Sequence, residues 1–349
     1  MDFPRKLLAE AMVVDSRASV SLRAPARLHL GFLDPNASLG RRFGSLGLVI
    51  DGFETEIEIS AAVPGAQQVS ASGGDEQAEI ERVQDWLEQL QRHTGLGTPL
   101  HLRLLRVLPP HTGFGSGTQL ALAIGRAFAQ WHGLDVGTAE LARWLGRGRR
   151  SGIGIAGFDQ GGLLVDGGPG VDGAPAPLLA RIALPAAWRV LVVQDSAQKG
   201  LSGAEERRRI EALPPLSREQ AADICHQVLM RVLPGAAGAE FHPFAAGVTH
   251  IQRVLGEHFA PAQGGQAFAS AAVAQVMAWI GTAAPDAAIG QSSWGPTAFA
   301  ILPSQANAQA LLDALQATPL LAPSLMLRIV AGRNTGALLT DRRPAAPTH

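Results

Sequence analysis

A mixed α+β fold in two domains is what this sequence predicts, and three observations carry that expectation. Strand and helix signals alternate through the first half of the chain. The second half opens with an apolar strand, continues through several helices and closes with further strands. Between the halves, residues 167–177 (GGPGVDGAPAP) are rich in glycine and proline and have no periodicity. The 349 residues have room for two domains of ordinary size, expected over 18–175 and 180–340.

In chain order, Val20 and Leu22, then Leu28, Leu30 and Phe32, predict strand on either side of Pro25, and residues 46–50 and 55–59 predict two more strands. Ile80, Val83, Leu87 and Leu90 recur at helical spacing, predicting one helix over 76–92. A strand over 100–107 ends at Pro109-Pro110, and a glycine-rich turn leads into a helix over 118–132. A further helix over 138–145 has Thr138 as its expected cap. The second half is expected to hold strands over 188–193, 298–302 and 325–330, with helices over 217–233, 244–259 and 267–280.

Apolar residues are 46% of the chain and charged residues 17%, a composition that folds around a packed core. A net charge of −1 without a basic tail provides no bulk field for nucleic acid or an anionic membrane. The only lysines are Lys6 and Lys199, so cationic chemistry falls to arginine, whose fork binds phosphate and carboxylate bidentately. Cys225 stands alone, which removes disulfides and CxxC sites and fits a reducing, cytoplasmic setting. The first sixteen residues lack the long apolar core of a signal peptide, and no window predicts a membrane span.

The strongest local motif is Pro109-Pro110-His111-Thr112-Gly113-Phe114-Gly115-Ser116-Gly117-Thr118, set between a strand and a helix. Its glycines allow a tight turn and close backbone approach, while the free N–H groups at the helix start attract an anion. No Gly-Lys-Ser/Thr follows, so it is not a Walker loop. Arg143, Arg147, Arg149 and Arg150 form a cationic run further on. His242, His250 and His258 lack the cysteine or carboxylate company of a zinc site.

The glycine-rich motif resembles the phosphate-binding motif of the GHMP-kinase superfamily. Ala24-Pro25-Ala26-Arg27-Leu28-His29-Leu30-Gly31 is similar to its first motif, and Gly154-Ile155-Ala156-Gly157-Phe158-Asp159-Gln160-Gly161-Gly162 to the segment carrying the kinases' catalytic aspartate. Two departures are informative. Where the kinases use a hydroxyl for Mg²⁺ this chain has Gly117, leaving Ser116 or Thr118 as the metal-binding candidates, and where they place a metal-binding glutamate it has the arginine run. Hard Mg²⁺ wants oxygen ligands and no guanidinium can supply one, so the substitution points to an anionic substrate.

Residues 34–47 (DPNASLGRRFGSLG), Lys199-Gly200-Leu201-Ser202-Gly203 and Gly290-Gln291-Ser292-Ser293-Trp294-Gly295-Pro296-Thr297 narrow the resemblance to the β-ribofuranosylaminobenzene (β-ribofuranosylphenol) 5′-phosphate synthases. That resemblance implies a ribosomal protein S5-like N-terminal domain and a ferredoxin-like C-terminal domain. It also implies transfer of ribose 5-phosphate from 5-phosphoribosyl 1-diphosphate to 4-hydroxybenzoate or 4-aminobenzoate with loss of CO₂ and diphosphate, a step of tetrahydromethanopterin biosynthesis. On it, Gly113, Gly115, Ser116, Gly117 and Thr118 would cradle phosphate, and Arg27, Arg41, Arg149, Arg150 and Lys199 would contact anions. Trp294 would face the arene, Asp159 and His29 would be the catalytic candidates, and Mg²⁺ would arrive with the diphosphate. The partners implied are small molecules, with a homodimer left open. An ATP-dependent GHMP small-molecule kinase, with Asp159 deprotonating a hydroxyl, is the alternative.

Overall fold

The computed structural model describes residues 18–62, 66–170, 173–200, 208–209 and 212–344. The N-terminal segment with Lys6, and Leu201, Ser202 and Gly203 of the Lys199 motif, lie outside them. Within the described residues the chain builds a seven-stranded sheet and a four-stranded sheet, each covered by helices.

The first sheet grows from two long antiparallel strands, β1 (Ser19–Asp34) and β2 (Phe43–Ala61). Four short strands were expected in this stretch, but each pair is continuous. Pro25 does not interrupt β1 because the register shifts between Pro25 and Arg27, and a proline without an N–H is tolerated at such a bulge. A second shift lies between His29 and Gly31. Bulges re-aim neighbouring side chains, and these two bracket Arg27 and His29.

Strand β3 (Gln68–Ala71), helices α1 (Gly74–Gln77) and α2 (Ile80–Thr94), and strand β4 (Leu100–Arg106) follow, with β3 parallel to β4. The single helix expected over 76–92 is broken before Ile80, where buried Glu79 pairs with Arg82. Helix α3 (Ser116–His132) buries Leu120, Ile124 and Phe128 against the sheet. Helix α4 (Thr138–Trp144) starts from Gly137 with no side-chain cap, so Thr138 is not the cap that its residue type suggests. Helix α5 (Ile153–Gln160) leads into β5 (Leu163–Asp166) and β6 (Leu178–Ile182).

The second sheet has the order β10-β7-β9-β8, formed by β7 (Arg189–Asp195), β8 (Ala288–Gln291), β9 (Thr297–Leu302) and β10 (Leu325–Ala331). Ser217 caps α6 (Arg218–Gln227) with a reciprocal bond to Gln220. A π-helical turn at Val228–Val232 then joins it to α7 (Leu233–Ala237). That wider turn relieves the clash Pro234 would make with the carbonyl four residues earlier. Helices α8 (Phe241–Phe259), α9 (Ala271–Ala283) and α10 (Gln305–Gln316) complete the cover.

The sheets do not divide where the sequence does. Strand β6 straddles the expected boundary, and β11 (Leu338–Asp341) returns from the end of the chain to pair with β1. One core cluster holds Leu28 and Leu46 of the first sheet together with Val190 and Phe299 of the second and Phe244 of α8. Burying each such side chain contributes about 1.5–3 kcal/mol, so the two layers stabilise each other. No helix among the described residues is long and apolar enough to cross a membrane.

Candidate active site

The glycine-rich turn is held on three sides before any ligand is considered. Phe114 is fully buried and stacks on Phe53 with ring centroids 4.6 Å apart, and its carbonyl accepts the Arg27 N–H at 3.1 Å. The Ser292 hydroxyl donates to the Gly113 carbonyl at 2.7 Å and accepts the His29 N–H at 2.9 Å, tying the turn to β1 and to the loop at 292–295. On the third side, the His111 carbonyl accepts the Gly200 N–H at 2.8 Å, which brings Lys199 alongside while its side chain stays exposed.

Helix α3 begins at Gly115, which has φ +75° and no side-chain cap. The Thr118 N–H bonds the Gly115 carbonyl at 3.0 Å, no side chain caps the N–H groups before it, and the helix dipole adds positive potential there. A Cβ at Gly115 would come within 2.9 Å of the Arg27 guanidinium, and one at Gly117 within 3.0 Å of the Arg147 guanidinium. Arginines from separate elements close over the helix start at these two positions, and Gly115 also has the positive φ that favours glycine.

Arg147 donates to Thr118 Oγ1 at 3.4 Å and lies 5.9 Å over the Trp86 ring, while Arg82 of α2 lies 5.0 Å over the same ring. Burial, and then the neighbouring Arg82, Arg150 and Arg149, lower Arg147 to about 10. Crowded cations that destabilise one another are relieved by a bound anion. Sequence reasoning missed Arg82 altogether, since a lone arginine on an amphipathic helix carries no signal until tertiary packing brings it to the turn. Arg147 was visible only as one member of the run.

The remaining expected residues are distributed unevenly. Arg149 is exposed, and Arg150 is close enough to act electrostatically on His29 and Arg147. The Arg41 guanidinium is occupied by the Gly167 and Gly168 carbonyls, the latter at 3.0 Å. Asp159 stands at the C-terminal end of α5 and accepts from the Thr138 hydroxyl at 2.6 Å, with Arg126 donating to the same hydroxyl at 2.7 Å. The residue is solvent-exposed overall, yet partial burial of its carboxyl raises its pKa against the pull of Thr138 and Arg126.

The part of α5 that reaches the cradle is Gly154, packed on Thr118 and Arg27. Five helical residues, or about 7.5 Å of axial rise, separate it from Asp159. Buried Asp166, also missed in the sequence, fixes the start of this helix by accepting from Gly152 N at 2.7 Å, Ile153 N at 3.1 Å and the Ser151 hydroxyl at 3.1 Å.

Next to the cradle, across the Ser292 link, a cavity of about 380 Å³ lies between β1, β8 and α8. Trp294 forms part of its wall and packs on Phe259 with centroids 4.9 Å apart, so it is both a buried core residue and a cavity residue. His29 borders the same cavity and is 4% exposed. Burial, followed by the charges of Arg27 and Arg150, lowers its pKa well below the ordinary range, so the ring is neutral.

Comparison with known proteins identifies the fold and the family. Residues 81–163, from α2 to the start of β5, match the model of the GHMP kinases N terminal domain. Among solved structures, a homoserine kinase from Cytophaga hutchinsonii superposes with a TM-score of 0.63 at 17% identity over 93% of this chain and 98% of its own. Mevalonate diphosphate decarboxylase from Enterococcus faecalis does so with a TM-score of 0.65 at 14% identity, over 93% and 99%. At such identities they establish the fold alone, the GHMP-kinase fold. The β-ribofuranosylphenol 5′-phosphate synthase of Archaeoglobus fulgidus is 34% identical over 299 residues, 82% of this chain and 88% of that protein. That of Methanothermobacter thermautotrophicus is 29% identical over 66% of this chain and 74% of its own. With that degree of similarity spread across both sheets, the chain belongs to the β-ribofuranosylphenol 5′-phosphate synthase family and is an enzyme of the pentosyltransferase type.

Proposed function

We propose that this enzyme joins the ribose 5-phosphate of 5-phosphoribosyl 1-diphosphate to 4-hydroxybenzoate or 4-aminobenzoate, releasing diphosphate and CO₂. The observation that carries the reading is the guanidinium of Arg147 against Gly117, at the position where a phosphoryl-transferring relative would need an oxygen ligand for its metal. A site closed by Arg27 and Arg147 over free helix N–H groups binds phosphate oxygens directly, at about 1.5–3 kcal/mol for each charge-assisted bond.

In this reading the diphosphate occupies the turn from Gly113 to Thr118, with Arg27 and Arg147 against it and Arg82 and Arg150 adding charge behind them. Lys199 and Arg149, exposed at the edge, meet the 5-phosphate. As the bond from ribose C1 to the diphosphate oxygen breaks, its electron pair leaves with the diphosphate, and these fixed cations stabilise the charge that develops there. The ring carbon bearing the carboxylate attacks C1, helped by electron donation from the para OH or NH₂. The electrons of the bond to CO₂ then return to the ring, which regains aromaticity without gaining a proton.

Magnesium is implied by the family, and the donor set fits it only as a passenger of the diphosphate. Among the described residues no three His, Cys, Asp or Glu side chains converge, and the Arg147 guanidinium crowds Thr118 Oγ1. The Ser116 hydroxyl is left as the side-chain oxygen at the helix start, with the diphosphate's own oxygens and water to complete the shell. When bound, the ion would neutralise part of the leaving group's charge. The test is incubation with labelled 5-phosphoribosyl 1-diphosphate and each benzoate, with and without ATP. ATP-independent CO₂ release with a C-riboside product is expected, and ATP consumption coupled to a phosphorylated product would overturn the reading.

A further inference from the structure

The cavity bordered by β1 is walled by Phe32, Phe259, Phe268, Ile289 and Trp294, and the Arg253 guanidinium on its lining is paired with Glu257 at 2.8 Å. Its glutamines are already engaged. Gln252 donates to the Leu30 carbonyl at 2.7 Å and accepts from Gln291 N at 2.8 Å, while the Gln291 side chain accepts from Ala269 N at 2.6 Å and donates to the Ser293 carbonyl at 2.8 Å.

His29 differs from them. Its Nδ1 accepts the Gly31 N–H at 3.3 Å, so the neutral ring carries its proton on Nε2. That buried N–H has no partner among the described residues, and leaving such a donor unmet costs about 1–3 kcal/mol. The N–H is covered at the cavity wall, and an acceptor that displaces the neighbouring Phe32, whose ring packs on the imidazole with centroids 4.6 Å apart, would recover that loss. The positive field of Arg27 and Arg150, which disfavours a second proton on the ring, favours an acceptor that is anionic. Apolar cavities of about 150 Å³ admit a benzene ring, so 380 Å³ holds a substituted one.

We infer that this cavity is the arene subsite and that His29, donating from Nε2, holds the aromatic carboxylate and turns the carbon bearing it toward the cradle. The inference rests on the transferase reading and assigns its second substrate a place. It makes His29 a donor that selects and orients an acid, not the base for the para hydroxyl. A single neutral donor also suits a group that must leave as uncharged CO₂, because an ion pair at the same place would oppose the loss of its charge.

The test is calorimetric titration of the full-length chain with 4-hydroxybenzoate and with 4-methylphenol, which has the same ring without a carboxylate, each with and without inorganic diphosphate. The wild type is expected to prefer the acid by about tenfold or more, which is about 1.4 kcal/mol. His29→Leu should erase that preference while still binding 4-methylphenol, a check that the cavity is intact. His29→Gln, which keeps an N–H donor, should retain part of it. Gly256→Leu, on the cavity wall where a Cβ already meets Ala267 at 3.2 Å, should weaken both ligands. In turnover, His29→Leu should raise KM for the benzoate and leave KM for 5-phosphoribosyl 1-diphosphate unchanged. Retention of the acid preference in His29→Leu, unchanged binding of both ligands by Gly256→Leu, or no binding of the acid under either condition would overturn the inference. If binding follows the expected pattern but neither CO₂ nor a C-riboside forms, the subsite stands and the transferase reading falls.

Discussion

Two regions that share one strand are built by opposite means. The cradle is a set of cations over a bare helix start, assembled from β1, α2, α3 and the loop after α4. The cavity is walled largely by apolar and aromatic side chains, with its glutamines and the Arg253–Glu257 pair bonded within the protein and the His29 N–H left unpaired, and it is assembled from β1, α8 and the segments around β8. Arg27 faces the first and His29, two residues on, borders the second. The contrast teaches where fixed positive charge helps and where it hinders: the leaving diphosphate gains an electron pair, whereas the arene's carboxylate gives up its charge to leave as CO₂. Variants that act on one side and spare the other can test this division.

The largest effect is expected from Arg27→Met. It removes a guanidinium packed on both Gly115 and Gly154 and should lower kcat by about 10² to 10³ while KM for the benzoate stays within a few-fold. Steady-state kinetics with each substrate varied in turn would measure it, and an equal loss in both KM values would break the division between cradle and cavity. Arg147→Lys is a finer probe. It keeps the charge and loses the fork, so KM for 5-phosphoribosyl 1-diphosphate should rise about tenfold. An unchanged value would make Arg147 a structural partner of Trp86 and Thr118 only.

The two regions also differed in how legible they were. The cradle's backbone was readable because it is local: ten consecutive residues between a strand and a helix declare a turn that binds an anion. Its arginines were readable only in part, since Arg82 and Arg147 take their meaning from packing on Trp86, which no spacing encodes. The cavity was almost invisible. Its wall comes from residues near 30, 250, 268 and 290: His29 and the motif from Gly290 carried signals, but nothing in the sequence joined them to each other or to the wall from α8, which reads as ordinary core. The fold was legible in class and in most elements, while continuity through Pro25, the break before Ile80 and the return of β11 to the first sheet depend on tertiary pairing. Asp159, prominent in its motif, stands at the C-terminal end of α5, five residues past Gly154, and bonds to Thr138.

A middle-sized effect is expected from pH. His29 is neutral in the fold with a pKa held well below its unfolded value near 6.5, so the folded state binds fewer protons than the unfolded one on the acid side. Its contribution is complete above about pH 6.5 and is lost as pH falls from there toward the folded value, at up to about 1.4 kcal/mol for each pH unit. His132 and His258 are also lowered, so the wild type should show a compound acid slope. Denaturant midpoints between pH 7 and 5 should fall less steeply in His29→Gln. An identical slope in both proteins would mean that His29 titrates normally and is not enclosed as described.

The smallest effect is expected at Asp159. Its carboxylate accepts one hydrogen bond, from Thr138, and Asn can accept the same bond through its amide oxygen. Asp159→Asn should therefore change stability by less than about 1 kcal/mol and turnover by no more than a few-fold. The charge does have a neighbour in Arg126, which shares Thr138, so a small loss of stability is the expected direction. If the carboxylate served chemistry, as the resemblance to the synthases implies, removing its charge would cost about 10² to 10³ in kcat and leave the melting temperature untouched. Stability and rate thus move in opposite senses under the two accounts, and measuring both on the one variant decides between them. A large fall in kcat in a normally folded protein would bring the end of α5 into the active site and require the arene, or the ribose, to lie on a different side of Gly154 from the cavity bordered by His29.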